Sequence, residues 1–332
     1  MQRVIFACER FLMKRIVTCL ILLSVILASK PTEAQHWKRY RHEAWGGIGA
    51  TNFLGELGGG AGAAKGLILD FDGKSSRYIV TGGYRYKLNE VVSARGGLAY
   101  ASLYGSDEFS GDPWRRSRNL HFRSMLIELT AMGEVFFIRE KTSNRYRVRG
   151  IKGAIGSGLS AYVTAGLGGM FFNPKAKFVG NAAYPGDNKW HALQPLATEG
   201  QGLADGPKKY SRINACIPMG IGAKFSINRN MSMSLEYGFR FTFTDYMDDV
   251  SGVYFDPVAI EAAGGPQAAY FSNPSIIVEN PDPDGGPIRA GGGQPHLTAQ
   301  QRGDATTNDT YMFAVVAFNY KFTSKNANRP KF

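Results

Sequence analysis

His121 stands four residues after Ser117 and three before Ser124, the one neighbourhood where a base and hydroxyl nucleophiles come close along this chain. A His–Ser pair within hydrogen-bond reach could run acyl transfer, the imidazole taking the hydroxyl proton. His36, His42, His191 and His296 have no serine–aspartate arrangement at a recognised spacing. The weak pairing around His121 is set aside, and the chain is expected to be neither an enzyme nor a cofactor carrier. Gly58–Lys65 hints at a phosphate loop but lacks the glycine before the lysine and the Ser/Thr after it. Asp245, Asp248 and Asp249, with Asp256 further on, offer oxygen ligands for Ca²⁺, though without EF-hand spacing. Hydrogen bonding that orders the start of a loop is the plainer expectation for these aspartates, and no metal is assigned.

A larger set of charges has a different setting. Arg85, Arg95, Glu128, Glu134, Lys224, Glu236 and Arg240 all lie within stretches where every second residue is apolar. The clearest is Met231–Asp245. Met231, Met233, Leu235, Tyr237, Phe239, Phe241 and Phe243 share one face; Ser232, Ser234, Glu236, Gly238, Arg240, Thr242 and Thr244 share the other. In Tyr210–Ile227 the apolar face runs from Ile213 to Ile227, opposite Arg212, Asn214, Gly220, Gly222, Lys224 and Ser226. A greasy exterior around a charged interior is the pattern of an outer-membrane β-barrel strand.

Period two yields eight such strands: Glu43–Asn52, Arg77–Leu88, Val91–Tyr104, Leu120–Ile138, Gly158–Phe172, Tyr210–Ile227, Met231–Asp245 and Thr310–Thr323. Gly46, Gly47 and Gly49 blur the first. The joins Lys87–Val91 and Ile227–Met231 are tight turns, whereas Phe53–Ser76, Gly105–Asn119, Asn173–Lys209 and Tyr246–Asp309 are long. This alternation fits a barrel with both termini in the periplasm and long extracellular loops; a Greek-key sandwich is the rival architecture. The fold class expected is all-β, an eight-stranded antiparallel transmembrane β-barrel. Its narrow lumen is expected to be plugged by the charges listed above, paired across the interior.

Residues 1–34 read as a cleaved signal peptide, with Met13-Lys14-Arg15 ahead of an apolar run from Ile16 to Ala28 and cleavage after Ala34; Met13 is an alternative start. A basic segment, 35–42, precedes the barrel at 43–323, and a basic tail, 324–332, is expected to be disordered. The mean hydropathy of −0.21 is what alternating faces produce on averaging. Loss of the leader removes Cys8 and Cys19, leaving Cys216 without a partner for a disulfide.

The formal net charge is +12. Arg139, Lys141, Arg145, Arg147, Arg149 and Lys152 cluster in the fourth-to-fifth join. They suit either anionic lipid beside the turn or an acidic partner in the periplasm, a compartment where nucleic acid is not expected.

A run of motifs resembles a known family. Phe171–Ala176 (FFNPKA), Leu193–Gly202 (LQPLATEGQG), Ile217–Gly222 (IPMGIG) and Phe243–Ser251 (FTDYMDDVS) are similar to the PorG-like outer-membrane barrel proteins of Bacteroidetes, across about Trp45 to Phe322. The chain departs from that pattern in the insertion around Ala262–Asp304 and in the tail after Phe322. The resemblance implies a non-catalytic, eight-stranded barrel associated with type IX secretion. It implies contact with a periplasmic ring built from a PorK-type lipoprotein and a PorN-type partner. The expected role is an anchor or assembly component embedded in outer-membrane lipid, with the basic join as its docking surface. The alternative is a surface receptor or adhesin that binds ligand through the extracellular loops.

Overall fold

The computed structural model describes residues 36–57, 73–140, 158–228, 230–277 and 300–323. Its strands are β1 (His42–Leu54), β2 (Arg77–Lys87), β3 (Val92–Ser106), β4 (His121–Ile138), β5 (Leu159–Lys177), β6 (Trp190–Ala192), β7 (Ile213–Ser226), β8 (Met231–Thr242) and β9 (Thr310–Phe322). Neighbouring strands pair antiparallel in the order β4-β3-β2-β1-β9-β8-β7-β5, and β4 pairs with β5 to close the ring. The result is a closed eight-stranded barrel without an open edge. The short β6 lies outside the ring, extending the ladder on β5 at Lys175–Lys177, past the end of β7.

Strand parity decides what faces where. Leu98, Leu129, Leu167, Ile213, Leu235 and Phe318 are exposed on the outside, whereas Arg85, Glu134 and Lys224 are fully buried inside. A closed ladder satisfies its own backbone groups, and an apolar outer surface then faces hydrocarbon without penalty. This is the geometry of a membrane-spanning β-barrel.

Two of the glycines that blur the first strand, Gly47 and Gly49, have a packing reason. A Cβ on Gly49 would stand 2.0 Å from the Ala314 carbonyl oxygen, so β1 and β9 approach there as only glycine allows. The two tight turns at the end bearing both chain termini share one device. Asn89 Oδ1 accepts from the amides of Val91 (2.8 Å) and Val92 (2.6 Å), and Asn228 Oδ1 accepts from Asn230 (2.9 Å) and Met231 (2.7 Å).

Most strand ends fall within two residues of the pattern read from sequence, with three departures. β5 continues through Asn173-Pro174 to Lys177: the Pro174 carbonyl accepts the Leu193 amide at 2.9 Å, and Ser124 Oγ accepts the Asn173 amide at 3.0 Å. β8 stops at Thr242, whose hydroxyl donates to the Asp309 carbonyl at 2.7 Å and turns the chain off the ladder. β7 begins at Ile213 rather than Tyr210, because Tyr210 leaves the sheet to stack on Tyr246, ring centroids 4.7 Å apart.

The described parts of the long joins include two helices. Helix α1 (Pro113–Arg118) starts on an Asp112 cap, and α2 (Pro257–Ser272) starts on Asp256 and kinks at Gly265-Pro266. Tyr270 and Phe271 of α2 pack on Phe178, Ala176 and Leu193. The joins thereby form a cap with its own apolar cluster over the mouth of the barrel. The glycine-rich stretch Gly58–Lys65 and the tail 324–332 lie outside the described residues, as does the leader.

Candidate functional site

Inward parity on seven of the eight barrel strands delivers charge to one lumen. From β1, β2 and β3 come Glu43, Arg85 with Lys87, and Arg95; β4 gives Glu128 and Glu134, and Glu140 follows it. Lys224 comes from β7, Glu236 and Arg240 from β8, and Lys321 from β9.

The ion pairs are specific. Arg85 grips Glu134 with two parallel bonds, Nε to Oε2 at 2.5 Å and Nη2 to Oε1 at 2.9 Å, and its Nη1 donates to Glu43 and to Asn319 Oδ1. Lys224 Nζ donates to both oxygens of Glu43, at 2.7 and 2.5 Å. Arg95 holds Glu236 through Nη1 (2.5 Å) and Nη2 (2.8 Å), and the Tyr162 hydroxyl donates to the same carboxylate at 2.9 Å. Higher in the lumen Arg240 Nε meets both oxygens of Glu128, which also accepts from Tyr311. At the short-turn end Glu140 gathers Lys87 and Lys321, with Lys224 Nζ 3.9 Å away. All the interior charges read from the sequence are thus inside, joined by Glu43, Lys87, Glu140 and Lys321. Those four lie at strand ends, where the alternation is short and easily missed.

Above this charged layer the lumen turns apolar. Phe53, Leu103, Phe122, Leu126, Met170, Phe172 and Phe313 are buried together, with Phe53 and Phe122 edge to face at 4.8 Å between centroids. The space left beside Trp45, Arg95, Glu128 and Arg240 holds little more than a water molecule. Cys216 is buried and free.

The cap carries a second charged layer. Arg118 forks onto Asp107, Nε to Oδ2 and Nη2 to Oδ1 both at 2.8 Å. Arg302 Nη1 donates to Glu199 Oε1 and to the Asp249 carbonyl, both at 2.8 Å, while Glu199 accepts the amides of Ser251 (3.0 Å) and Gly252 (3.2 Å). Arg118 Nη1 also donates to the Arg302 carbonyl, so these contacts tie together the joins β3–β4, β5–β7 and β8–β9.

Asp245, Asp248 and Asp249 do not form one ligand set. Asp249, with φ +69°, turns its carboxylate to the hydroxyls of Thr198 and Tyr210, each at 2.5 Å. Asp248 instead joins Glu56 and Asp309, with one oxygen from each of the three within 4.8 Å of the others. Burial pushes Asp249 up to about 6, against the lowering pull of Arg302. Burial, with the charges of Glu56, Glu199 and Asp304, pushes Asp245 up to about 7. Asp248 and Asp309 are held well above the ordinary carboxylate range, first by burial and then by their acidic neighbours, Glu56 among them.

The hydroxyls near His121 are engaged elsewhere. His121 Nε2 accepts the Lys177 amide at 3.0 Å, Ser117 Oγ donates to the Ile276 carbonyl at 2.8 Å, and Ser124 lies on the opposite face of β4. Of the basic join, Arg139 is exposed, with Nη1 3.8 Å from Glu90 Oε2. Lys141, Arg145, Arg147, Arg149 and Lys152 lie outside the described residues.

A closed antiparallel ring, an apolar exterior and an ion-paired interior define the class: a β-barrel of the outer-membrane type. No family model and no curated protein matches the sequence. Among solved structures the chain is similar to the attachment invasion locus protein Ail of Yersinia pestis, at 10% identity over 86% of this chain and 99% of that one, TM-score 0.33. It is also similar to Neisserial surface protein A, at 8% identity over 85% and 96%, TM-score 0.36. A third is the N-terminal β-barrel domain of Pseudomonas aeruginosa OprF, at 9% identity over 85% and 98%, TM-score 0.31. The assignment of the class rests on the strand pairing and surface chemistry of this chain.

Proposed function

We propose that the chain is a non-conducting outer-membrane barrel that serves as an anchor and assembly component of a type IX protein secretion system. The observation that carries the non-conducting part is the lumen, where Arg85–Glu134, Arg95–Glu236 and Arg240–Glu128 cross-link facing strands beneath an apolar plug. Such an interior contributes rigidity and leaves transport to other proteins. The secretion role is supported by the PorG-like motif run, and the basic join beginning at Arg139 is assigned as the face presented to PorK-like and PorN-like ring proteins.

The test is capture of the tagged protein from cross-linked, gently solubilised membranes. Ring components that co-elute, and that are lost when Arg145, Arg147 and Arg149 become Glu, support the reading. A barrel that elutes alone, together with normal type IX export after deletion of the gene, overturns it.

The ordered cap favours a second reading, a surface receptor or adhesin. Three joins are fastened by Arg118, Arg302 and the α2 cluster, which is more construction than loops need for passive cover. Ligand binding lost on shortening residues 178–209 or 246–308, with export intact, would decide for it.

A further inference from the structure

Outside the barrel, at the end bearing the long joins, the cross-strand registers set a row of residues side by side. Tyr104 of β3 lies opposite Arg123 of β4, Arg123 opposite Lys175 of β5, and Lys175 opposite Ala192 of β6; two residues on, Lys177 faces Trp190. These side chains share the outward face. The alternation sets Arg212, the residue before β7, opposite the apolar face, but outside the strand its side chain reaches the outward face, with its Nη1 3.4 Å from Asn173 Oδ1.

Aromatic rings back the guanidiniums. The guanidinium carbon of Arg123 is 4.3 Å from the Trp190 ring centroid, that of Arg77 is 4.1 Å from Tyr104, and that of Arg212 is 5.8 Å from Phe171. A ring against one face of a guanidinium fixes its plane and leaves the N–H edge free to donate. Among the described residues, Arg123, Lys175, Lys177 and Arg212 form no ion pair, in contrast to the lumen, where every cation is matched.

The height of the row matters. Four residues further down each strand the same face becomes Tyr100, Ile127 and Phe171, followed by the exposed Ile213. At about 3.3 Å per residue the cations stand roughly 13 Å further along the strands. With a barrel strand's tilt of about 40° allowed for, that is about 10 Å higher, the height of headgroups above an apolar belt. The patch is one-sided: on β8 and β9 the corresponding rim offers Phe241, Phe243 and Thr310.

We propose that this face, centred on Arg123, Lys175, Lys177 and Arg212, is a docking site for lipopolysaccharide, its cations binding the lipid A phosphates while the acyl chains lie on the apolar belt below. The assignment rests on the outer-membrane reading. A guanidinium fork matches a phosphate in two parallel hydrogen bonds, and a cluster of cations fits a lipid bearing two phosphates better than one bearing one.

The test uses the full-length barrel in detergent micelles, titrated with bisphosphorylated lipid A and followed by native mass spectrometry. R123E/K175E should weaken lipid A binding at least ten-fold, and K208E/K209E, an equal charge change on an exposed loop, should leave it unaltered. R123Q/K177Q, a milder change, should give an intermediate loss and keeps the test decisive if the double reversal misfolds. Equal binding by the Arg123 variants and the unmodified protein overturns the site. Equal retention of phosphatidylglycerol and lipid A overturns the lipopolysaccharide assignment in favour of general anionic lipid. Failure of the unmodified protein to enter lipid vesicles overturns the barrel reading itself, and is distinguished by the loss of heat-modifiable gel mobility.

Discussion

Arg85 and Arg95 stand directly opposite each other in the β2–β3 ladder, two like charges in register, and Glu134 of the next strand contacts both. Like charges directly across a ladder destabilise it. Here the repulsion is offset because Glu134 forks onto Arg85 and lies 3.3 Å from Arg95, while Glu43 and Glu236 take the outer edges of the two guanidiniums.

Glu134→Gln should therefore cost more than a single lost bond, because it leaves two buried guanidiniums facing each other. Removing one partner of a buried pair costs about 3–5 kcal/mol. Urea titration in micelles, scored by the gel mobility of folded and unfolded barrel, should show the midpoint falling accordingly. Replacing Arg240 and Glu128 together by Met should cost less than either single change, since no orphaned charge remains.

The filled lumen leads to an electrical prediction. The unmodified protein in a planar bilayer should show no stable conductance steps. R95A/E236A removes one complete ion pair and the side chains around it, and should produce small steps if the pair helps to seal the interior. No steps in either protein would show that the seal lies elsewhere, and steps in the unmodified protein would show that the lumen is open.

Closure at Gly49 can be tested by one methyl group. Gly49→Ala places a Cβ against the Ala314 carbonyl and should destabilise the β1–β9 seam by about 3 kcal/mol, at the upper part of the range for overpacking. Gly46→Ala, where nothing lies within 4 Å of the added carbon, is the matched control and should fold normally.

The cap should respond to pH separately from the barrel. Asp245 and Asp249 are raised from an ordinary value of 3.8 to about 7 and about 6, so between about pH 4 and 7 the folded cap binds more protons than the unfolded one. Stability must then fall as pH rises through that window and be fully present below it. Hydrogen exchange of residues 243–252, corrected for intrinsic rates, should slow on going from pH 8 to pH 5. Asp245→Asn should flatten part of that dependence.

Much of the ring was legible because period two is a local property. In β8, Leu235, Tyr237 and Phe239 alternate with Glu236, Gly238 and Arg240, so a strand with opposed faces is read without any knowledge of its neighbours. The charges carried mid-strand were legible for the same reason. Glu43 and Lys321 were not, because each lies at a strand end and meets its partners only across the closed lumen, Glu43 with Arg85 and Lys224 and Lys321 with Glu140. The extent of β5 was hidden by Asn173-Pro174, a loop signal that Ser124 and Leu193 override by hydrogen bonding. The aspartates after β8 looked like one cluster in sequence, but the left-handed backbone at Asp249 sends its carboxylate away from that of Asp248. Helix α2 could not be anticipated from a glycine- and proline-rich loop; it is ordered by Phe178 and Leu193 from another join.

The seam between β1 and β9 also sets a schedule for biogenesis. His42 pairs with Phe322 and Leu54 with Thr310, so the first strand has only one partner until the last strand arrives. Any nascent chain lacking the thirteen residues of β9 presents two bare ladder edges, and such edges recruit other chains. The barrel therefore has no safe partial form. Both edges stay bare until β9 lies between β8 and β1.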